Sequence, residues 1–231
     1  MKLTPTPQGE RALTLAEVMF VVVVLVVLVV AWLSIAPVAR ARAERQKCHN
    51  IQRSVALGFR VFANDNGEKF PFAVSNSLAY GNVVQAWLHS QTMSSELGSA
   101  RILLCPSDRE RLLNIKSDFG SGASGLGSAG NAAVSYAPSL DADQTRPNAV
   151  LLIDRNLVTN TWNLRGSLLL AISNGPPLEW DQRIHGFSGN AALADGSVGM
   201  LSNPDLAARV RVQRSEERRV GKECRSRWSP Y

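Results

Sequence analysis

The sequence predicts an α+β protein in which a long N-terminal transmembrane-to-soluble α-helix packs on a small antiparallel β-sheet head. Three patterns carry this prediction. An uncharged apolar segment runs from Val18 to Ile35, a helical period continues beyond it, and short strand patterns separated by turn residues follow. The 231 residues are 45% hydrophobic and 19% charged, so the chain is not wholly disordered. The apolar segment also argues against a soluble cytosolic enzyme.

The segment from Leu13 to Ile35 is long and apolar enough to cross a bilayer as a helix. Valine dominates it, and valine is a mediocre helix former in water, but in hydrocarbon the backbone must satisfy its own hydrogen bonds. The segment is too long and too uniformly apolar for the core of a cleaved secretory signal. Glu17 is the exception, because a carboxylate inside an apolar segment is costly. Glu17 therefore lies either at the membrane edge or at a functional contact.

The stretch ALTLAEV (residues 12–18) resembles the cleavage and methylation signal of type IV prepilins and type II secretion pseudopilins. The resemblance implies a leader peptide at residues 1–12, cleavage between Ala12 and Leu13, and N-methylation of Leu13. It also implies that Glu17 pairs with the new amino terminus of a neighbouring subunit, which would make both buried charges tolerable. Ala12 and Leu13 stand where the family usually has Gly and Phe.

The same resemblance implies a non-enzymatic structural subunit of a type II secretion or type IV pilus-like filament. Its partners would be a prepilin peptidase, other pilin or pseudopilin subunits contacted through the N-terminal helix, and an inner-membrane assembly platform. The alternative function is a membrane-anchored periplasmic binding module that does not polymerise. A tethered hydrolase is a third class, for which the sequence offers no convincing set of catalytic residues.

The resemblance also implies an orientation: a single span in the inner membrane, the leader side in the cytoplasm and the head in the periplasm. The charge distribution favours the opposite orientation, because positive residues normally stay cytoplasmic. Residues 1–12 hold two Lys/Arg, whereas residues 36–47 hold four. We follow the resemblance, since a dedicated pathway inserts proteins of this family.

The helical pattern continues past the span, where Ile51, Val55 and Phe59 recur every four residues and share a face. Asn66 and Gly67 form a typical helix end. The predicted divisions are a leader at 1–12, a transmembrane half of the helix at 13–36, a soluble half at 37–66, a pilin-like head at 67–213 and an artefact at 214–231.

Short elements follow in the head. We predict a helix at Val83–Leu97, strands at Arg101–Cys105, Ala133–Ala137, Ala149–Asp154 and Ser167–Ile172, and a hairpin of Ala191–Ala194 and Ser197–Leu201. The hairpin turn is Asp195-Gly196, a strong two-residue turn signal. Ser107 to Glu110 fits a capping box that opens a helical turn, and residues 117–131 form a Gly/Ser-rich flexible loop.

Three stretches of the head resemble one large bacterial pseudopilin-like group: LLCPSD (103–108), SYAPSLDADQTRP (135–147) and HGFSGNAALADGSV (185–198). In the third, nine residues separate His185 from the Asp195-Gly196 pair. By chemistry, His185 and Asp195 are either a catalytic or metal-binding pair or, as we favour, a loop cap and a turn residue. The resemblance implies a structural signature rather than a known active site.

Cys48 and Cys105 are the two cysteines that precede residue 214. In an oxidising periplasm they could form a disulfide that ties the helix to the head, whereas in a cytosolic head they would be reduced. A nucleophilic Cys105 with His185 as its base is a third interpretation.

No cofactor is predicted, and calcium is the one metal for which we name candidate ligands. Asp141, Asp143 and Asp154 could supply the oxygen ligands that calcium prefers. Their spacing is sparse, so solvated turn carboxylates are the interpretation that we favour.

The C-terminal stretch RSEERRVGKECRSRWSPY (214–231) differs from the rest of the chain. Its six Lys/Arg and three Glu contribute +3 to a formal net charge of +6. It has no apolar periodicity and resembles the translation of a sequencing adapter, so we interpret it as an artefact joined after about Gln213. A genuine basic tail is the alternative. Because half of the net charge of the chain lies in this stretch, we predict no nucleic-acid partner.

Overall fold

The computed structural model of the chain describes residues 14–74, 85–158 and 178–227, with side chains up to residue 216. The chain divides into two compact units, Met1–Ala43 and Glu44–Tyr231. Helix α1, Leu15–Asp65, contributes residues to both units.

The described part of the first unit is the apolar half of α1. Its large hydrophobic side chains from Val18 to Val38 are 39–70% exposed, so the described residues form no core around this half of the helix. By length and composition the helix can cross a membrane. The sequence prediction of one apolar helix of spanning length is therefore confirmed.

The second half of α1 belongs to the second unit and buries one face. The buried positions are spaced by three or four residues, as on one side of a helix: Cys48, Gln52, Val55, Phe59 and Ala63. The helix ends at Asp65 and is followed by Gly67 with a positive φ of 65°. The predicted helix end is confirmed. The buried face is longer than predicted, because it also includes the Cys48 thiol and the Gln52 side-chain amide.

The sheet of the second unit has four antiparallel strands. The strands within the described residues are β1 Tyr136–Pro138, β2 Val150–Asp154, β3 Leu157–Val158, β4 Glu179–Trp180, β5 Ser188–Leu193 and β6 Val198–Ser202. The order in the main sheet is β1-β2-β5-β6, and β3 and β4 pair separately. All five residues of β2 are buried, as expected of a central strand covered on both faces.

Helix α1 packs on the two central strands of this sheet. The Gln52 side chain, fully buried, donates hydrogen bonds to the backbone oxygens of Leu152 on β2 (3.4 Å) and Asn190 on β5 (3.2 Å). Val55 and Phe59 lie in the same hydrophobic core as the strand residues. The predicted α+β arrangement, a long N-terminal helix packed on a small antiparallel sheet, is confirmed.

The region before the sheet differs from the prediction. Residues Arg101–Cys105 do not form a strand, since Ala100–Leu103 is a 3₁₀ helix whose first turn is capped by the Ser99 side chain. A short apolar run does not by itself distinguish a strand from a buried helical turn. The predicted capping box at Ser107 to Glu110 is wrong, because these residues form successive turns rather than the start of a helix. The Ser107 hydroxyl does not cap a helix, and its oxygen lies 3.3 Å from Cys48 Sγ.

Other predicted elements have different bounds. The helix predicted at Val83–Leu97 is two helices, α2 Ala86–Thr92 and α3 Ser94–Leu97, which meet at the buried Met93. Residues 117–131 contain a short helix, α4 Leu126–Ala129, that buries Leu126. Strand β1 begins at Tyr136 because a 3₁₀ helix occupies Gly130–Ala133. The strand predicted at Ser167–Ile172 lies outside the described residues.

The predicted hairpin is confirmed as β5 and β6, but its turn has three residues rather than two, because Leu193 faces Ser197 in the register of the strands. The turn residues are Ala194, Asp195 and Gly196. Asp195 and Gly196 lie in its turn, where Gly196 has a positive φ of 85° and Asp195 Oδ1 accepts a hydrogen bond from the Ser197 amide (2.8 Å). A positive φ is readily adopted only by glycine, which explains the Asp-Gly pair.

A C-terminal helix, α5 Asn203–Arg227, follows the sheet. Leu206 and Val210 are buried in the core, and Gln213 Oε1 accepts a hydrogen bond from the Val150 amide (3.0 Å). The helix continues into residues 214–227, which are rich in the strong helix formers Arg, Glu and Lys. Local propensity accounts for that extension, so the artefact interpretation stays a prediction.

Gly189 provides a test of the packing between β5 and β4. A Cβ at this position would lie 2.4 Å from Trp180 Cζ3, and that indole is only 2% exposed. We expect Gly189→Ala to lower the free energy of unfolding of the full chain in detergent by about 1–3 kcal/mol, measured by urea denaturation. Gly199→Ala on β6 is the matched control, because its Cβ would meet nothing within 4 Å. Equal stability of the two variants would contradict the prediction.

Candidate functional site

Four separate segments of the second unit bring reactive side chains together in the core. Cys48 comes from α1, Cys105 follows the 3₁₀ helix, Asp154 ends β2, and His185 precedes β5. All four are at least 96% buried. We call these four residues the buried cluster.

The atoms of the buried cluster are close enough to interact directly. Cys105 Sγ lies 3.7 Å from His185 Nε2, and Asp154 Oδ2 lies 3.4 Å from the same nitrogen. Donor atoms of Cys48, Cys105 and His185 all lie within 4.8 Å of one another. The distances mark a polar centre that is enclosed by the hydrophobic core.

The loop before β5 positions the imidazole. Gly186 and Phe187 have consecutive positive φ angles of 64° and 54°. Ser188 Oγ donates a hydrogen bond to the His185 backbone oxygen (2.7 Å). Glycine adopts this conformation without cost but phenylalanine rarely does, so the surrounding structure must hold the reversal. The reversal leaves His185 inside the core while Phe187 is exposed.

Burial and mutual hydrogen bonding shift the ionisation of the cluster. Burial raises the pKa of Asp154 to about 7, against the opposing effects of His185 and of the Asn190 amide. The hydrogen bond from Cys105 lowers the pKa of Cys48 to about 4, and the same bond together with burial raises the pKa of Cys105. Burial opposes ionisation of His185, but Cys48 and Asp154 outweigh it and raise the His185 pKa. The two thiols therefore release one proton easily and retain the second.

Some polar atoms around the cluster have no hydrogen-bond partner among the described residues. They are the buried Asp154 Oδ1, Tyr136 Oη and Asn190 Oδ1. Tyr136 pairs directly with Asp154 across β1 and β2. Buried polar atoms are nearly always satisfied in proteins, so such a group of unpartnered atoms calls for an explanation.

An ion pair lies next to the buried cluster. The Arg155 guanidinium donates to both carboxylate oxygens of Asp108, at 2.6 and 2.5 Å, and to Glu110 Oε2 at 2.8 Å. Ser135 Oγ also donates to Asp108 (2.8 Å). Asp154 and Arg155 are neighbours in sequence, so one strand end serves both the cluster and the ion pair. Residues of 103–108, 135–147 and 185–198 all meet at this strand end, through Asp108, Ser135 and His185.

The structure brings the predicted disulfide partners together. Cys48 and Cys105 are free thiols whose sulfur atoms lie within 4.8 Å of each other. A disulfide requires the sulfurs to approach to about 2.05 Å, so formation of the bond stays a prediction.

The two ends of the His–nine residues–Asp-Gly pattern lie apart. His185 and Asp195 flank the six-residue strand β5, which spans about 20 Å. Asp195 makes the hairpin turn, as predicted. His185 was expected to cap a loop with its side chain, and this expectation is wrong. The imidazole lies in the buried cluster beside Asp154.

The three calcium candidates are not brought together. Asp143 Oδ1 accepts hydrogen bonds from the amide and hydroxyl of Thr145, in a loop with Asp141. Asp154 lies at the far end of β2 from that loop, in the core. Among the described residues, the one group of three or more acidic, thiol or imidazole donors close enough to share an ion is Cys48, Cys105 and His185.

The buried cluster has the chemistry of a metal site more than that of a nucleophile. A nucleophilic Cys105 with His185 as base must be reached by a substrate, and both side chains are enclosed in the core. Thiolate and imidazole groups are the usual ligands of zinc in proteins. Cys48, Cys105 and His185 are therefore the described residues that could hold a metal ion.

The residues predicted to act in processing and assembly are Ala12, Leu13 and Glu17, of which Glu17 lies in the first turn of α1. Ala12 and Leu13 lie outside the described residues. Glu17 forms a capping box with Thr14: the Thr14 amide and hydroxyl both donate to Glu17 Oε2 at 2.8 Å, and the Glu17 amide donates to Thr14 Oγ1 at 3.3 Å. Glu17 thus has a local role that the sequence analysis did not anticipate.

Sequence reasoning missed Arg155 and assigned Asp154 to another site. A signal was present, because the charged pair Asp154-Arg155 directly follows the apolar run of β2 and must be buried or half-buried with it. Buried charged groups need partners. Asp108, the partner of Arg155, and His185, the partner of Asp154, both lie in stretches that the sequence analysis had already singled out.

Comparison of the chain with family models, with curated proteins and with solved structures finds no match. The fold and the arrangement of side chains are therefore the basis of the functional argument.

Proposed function

We propose that this protein is a pilin-like structural subunit that is anchored in the inner membrane and assembles into a type II secretion or type IV pilus-like filament. One observation carries the proposal: α1 is an exposed apolar helix in its first half and a core helix of an antiparallel sheet in its second half. A protein with this organisation has both an anchor and a folded body to display.

The exposed half of α1 supports assembly through helix packing. Its large hydrophobic side chains form a continuous apolar surface over about six helical turns, which water does not tolerate. Lipid covers such a surface in a membrane, and the same surface of neighbouring subunits covers it in a filament. Valine and leucine along the whole surface suit both environments, because neither requires a polar partner.

The proposed route starts with a prepilin peptidase that cuts between Ala12 and Leu13 and methylates the new amino terminus. This order requires the leader to face the cytoplasm and the second unit to face the periplasm. An inner-membrane platform then inserts the helix among those of other subunits. Glu17 guides the insertion by pairing with the methylated Leu13 amine of a neighbour, since a buried carboxylate needs a positive partner.

The first test is the N-terminal mass of the protein purified from membranes after expression with a prepilin peptidase. We expect a chain that starts at Leu13 and carries one added methyl group. Ala12→Gly is the matched variant, and it should be processed at least as well because glycine is usual at that position in the resembling family. A purified chain that still starts at Met1 in both forms would contradict the proposal and favour an ordinary single-span anchor.

A further inference from the structure

We propose that Cys48, Cys105, His185 and Asp154 form a zinc site, in which two thiolates, one imidazole nitrogen and one carboxylate oxygen surround the ion. The four side chains come from four separate segments and meet in the core of the second unit. The inference does not depend on whether the chain forms filaments.

Two of the distances between donor atoms match tetrahedral zinc. Typical zinc–sulfur and zinc–nitrogen bonds at tetrahedral angles place sulfur and nitrogen about 3.6 Å apart, and nitrogen and oxygen about 3.4 Å apart. Cys105 Sγ and His185 Nε2 are 3.7 Å apart, and His185 Nε2 and Asp154 Oδ2 are 3.4 Å apart. Cys48 Sγ lies within 4.8 Å of the other two thiol and imidazole donors. Asp154 lies outside this group of three, so its carboxylate has to move toward the sulfur atoms to complete a site with four ligands.

The donor types select zinc. Two thiolates exclude calcium and magnesium, which take oxygen ligands, and the carboxylate and imidazole distinguish the site from the all-sulfur sites that suit copper(I). Four protein ligands without an open position are typical of structural rather than catalytic zinc. The complete burial of the cluster agrees with a structural role.

The charge balance also favours a cation. The fully buried Asp154 carboxylate and two thiols lie together, while the nearby Arg155 guanidinium is engaged by Asp108 and Glu110. A buried carboxylate beside two thiols is costly unless it is paired, and its nearest basic group, the His185 imidazole at 3.4 Å, is itself one of the proposed ligands. A divalent ion removes this cost by direct coordination.

The surroundings provide the hydrogen bonds that hold metal ligands in place. The backbone amide of Asn190 donates to Asp154 Oδ2 (2.7 Å), and Ser107 Oγ lies 3.3 Å from Cys48 Sγ. Asp154 Oδ1 and Tyr136 Oη, which have no hydrogen-bond partner among the described residues, are next to the cluster. Partners of this kind orient zinc ligands and tune their affinity.

Zinc explains more of the cluster than a disulfide does. A Cys48–Cys105 disulfide would use two of the four side chains and would leave the Asp154 carboxylate buried beside an imidazole. The zinc site uses all four and links α1 to β2 and to the loop before β5. Zinc binding would therefore stabilise the packing of the helix on the sheet, because it acts only on the folded chain.

Cobalt and zinc titration of the full chain in detergent tests the site. The protein carries Cys224→Ser, which removes the third cysteine of the sequence, and is reduced and stripped with a chelator. We expect Co²⁺ to give the intense visible bands of a tetrahedral site together with thiolate charge-transfer absorption. About one equivalent of Zn²⁺ should then bleach the spectrum, since one site is present. Zinc should also raise the melting temperature of the unaltered chain, a readout that needs no variant.

Variants locate the metal. We expect Cys48→Ser and Cys105→Ser to abolish the thiolate charge-transfer spectrum or reduce it to that of one sulfur. Asp154→Asn should weaken zinc binding at least tenfold. Asp195→Asn is the matched control, because this acidic residue lies in the exposed hairpin turn and outside the buried cluster. It should leave zinc affinity unchanged.

Two results would overturn the proposal. In the first, the reduced chain gives only the weak spectrum of octahedral cobalt, or a spectrum that both cysteine variants retain. In the second, protein isolated from membranes without reductant carries a Cys48–Cys105 disulfide, two hydrogens lighter by mass, and no zinc.

Discussion

Asp108→Ala is expected to destabilise the second unit by about 3–5 kcal/mol, because the change leaves the Arg155 guanidinium buried without its main partner. The Arg155 side chain is 3% exposed and that of Asp108 is 1% exposed. Two parallel hydrogen bonds join them, in the bidentate geometry that makes an Arg–carboxylate pair strong. Urea denaturation of the full chain in detergent measures the loss.

The size of this effect follows from the position of the pair. Asp108 also accepts a hydrogen bond from the Ser135 hydroxyl. The backbone of Ser135 makes two more bonds: its amide donates to the Leu103 oxygen, and its carbonyl oxygen accepts from the Arg155 amide. The pair therefore ties the 103–108 segment to the end of β2. Its loss also disturbs the neighbouring Cys105 and Asp154, so the measurement is made with and without added zinc.

Two further variants make the prediction specific. Glu110→Gln removes a second partner of Arg155, but the Glu110 side chain is 56% exposed, so we expect a loss of about 1 kcal/mol or less. The double variant Asp108→Leu with Arg155→Met replaces the ion pair by apolar groups and should recover much of the stability. A loss of under about 1 kcal/mol for Asp108→Ala would mean that water reaches the pair and would contradict its burial.

Glu17→Ala is expected to abolish filament assembly while leaving the protein in the membrane. In the proposed filament, the Glu17 carboxylate neutralises the amino terminus of a neighbouring subunit within an apolar helix bundle. An unpaired charge in that environment is strongly unfavourable, so a few kcal/mol at every contact suffices to prevent growth. The measurement is the amount of subunit in sheared filaments from cells that make the protein, compared with the amount in their membranes.

The capping box of α1 offers a different explanation, which a second variant separates. Thr14 and Glu17 share three hydrogen bonds, so loss of either residue weakens the helix start by about 0.5–2 kcal/mol. Thr14→Ala breaks the capping box but keeps the carboxylate. If Glu17 acts in assembly, Thr14→Ala still forms filaments and Glu17→Ala does not. If both variants assemble equally well, Glu17 serves only as a cap, and a non-polymerising membrane-tethered binding module becomes the better proposal.

Features that depend on neighbouring residues could be predicted from the sequence. The apolar helix follows from uninterrupted hydrophobicity, the buried face of α1 from a spacing of three and four, and the hairpin from its Asp-Gly turn. In each of them the decisive interactions join residues only a few positions apart. The RILLC segment was mispredicted because its apolar run is equally compatible with a strand and a buried 3₁₀ turn.

The pairing of distant polar residues was decided only by the tertiary structure. From the sequence, His185 has Asp195 as its apparent partner, but the extended strand β5 separates them, and the antiparallel pairing of β5 with β2 brings Asp154 to His185 instead. Cys105 likewise meets Cys48 and His185 across long stretches of chain. The sequence by itself determined an apolar helix of membrane-spanning length, a helix face and a turn, since these are local. The tertiary structure determined which buried charges and thiols share one centre, because strand order and the packing of α1 on the sheet set those contacts.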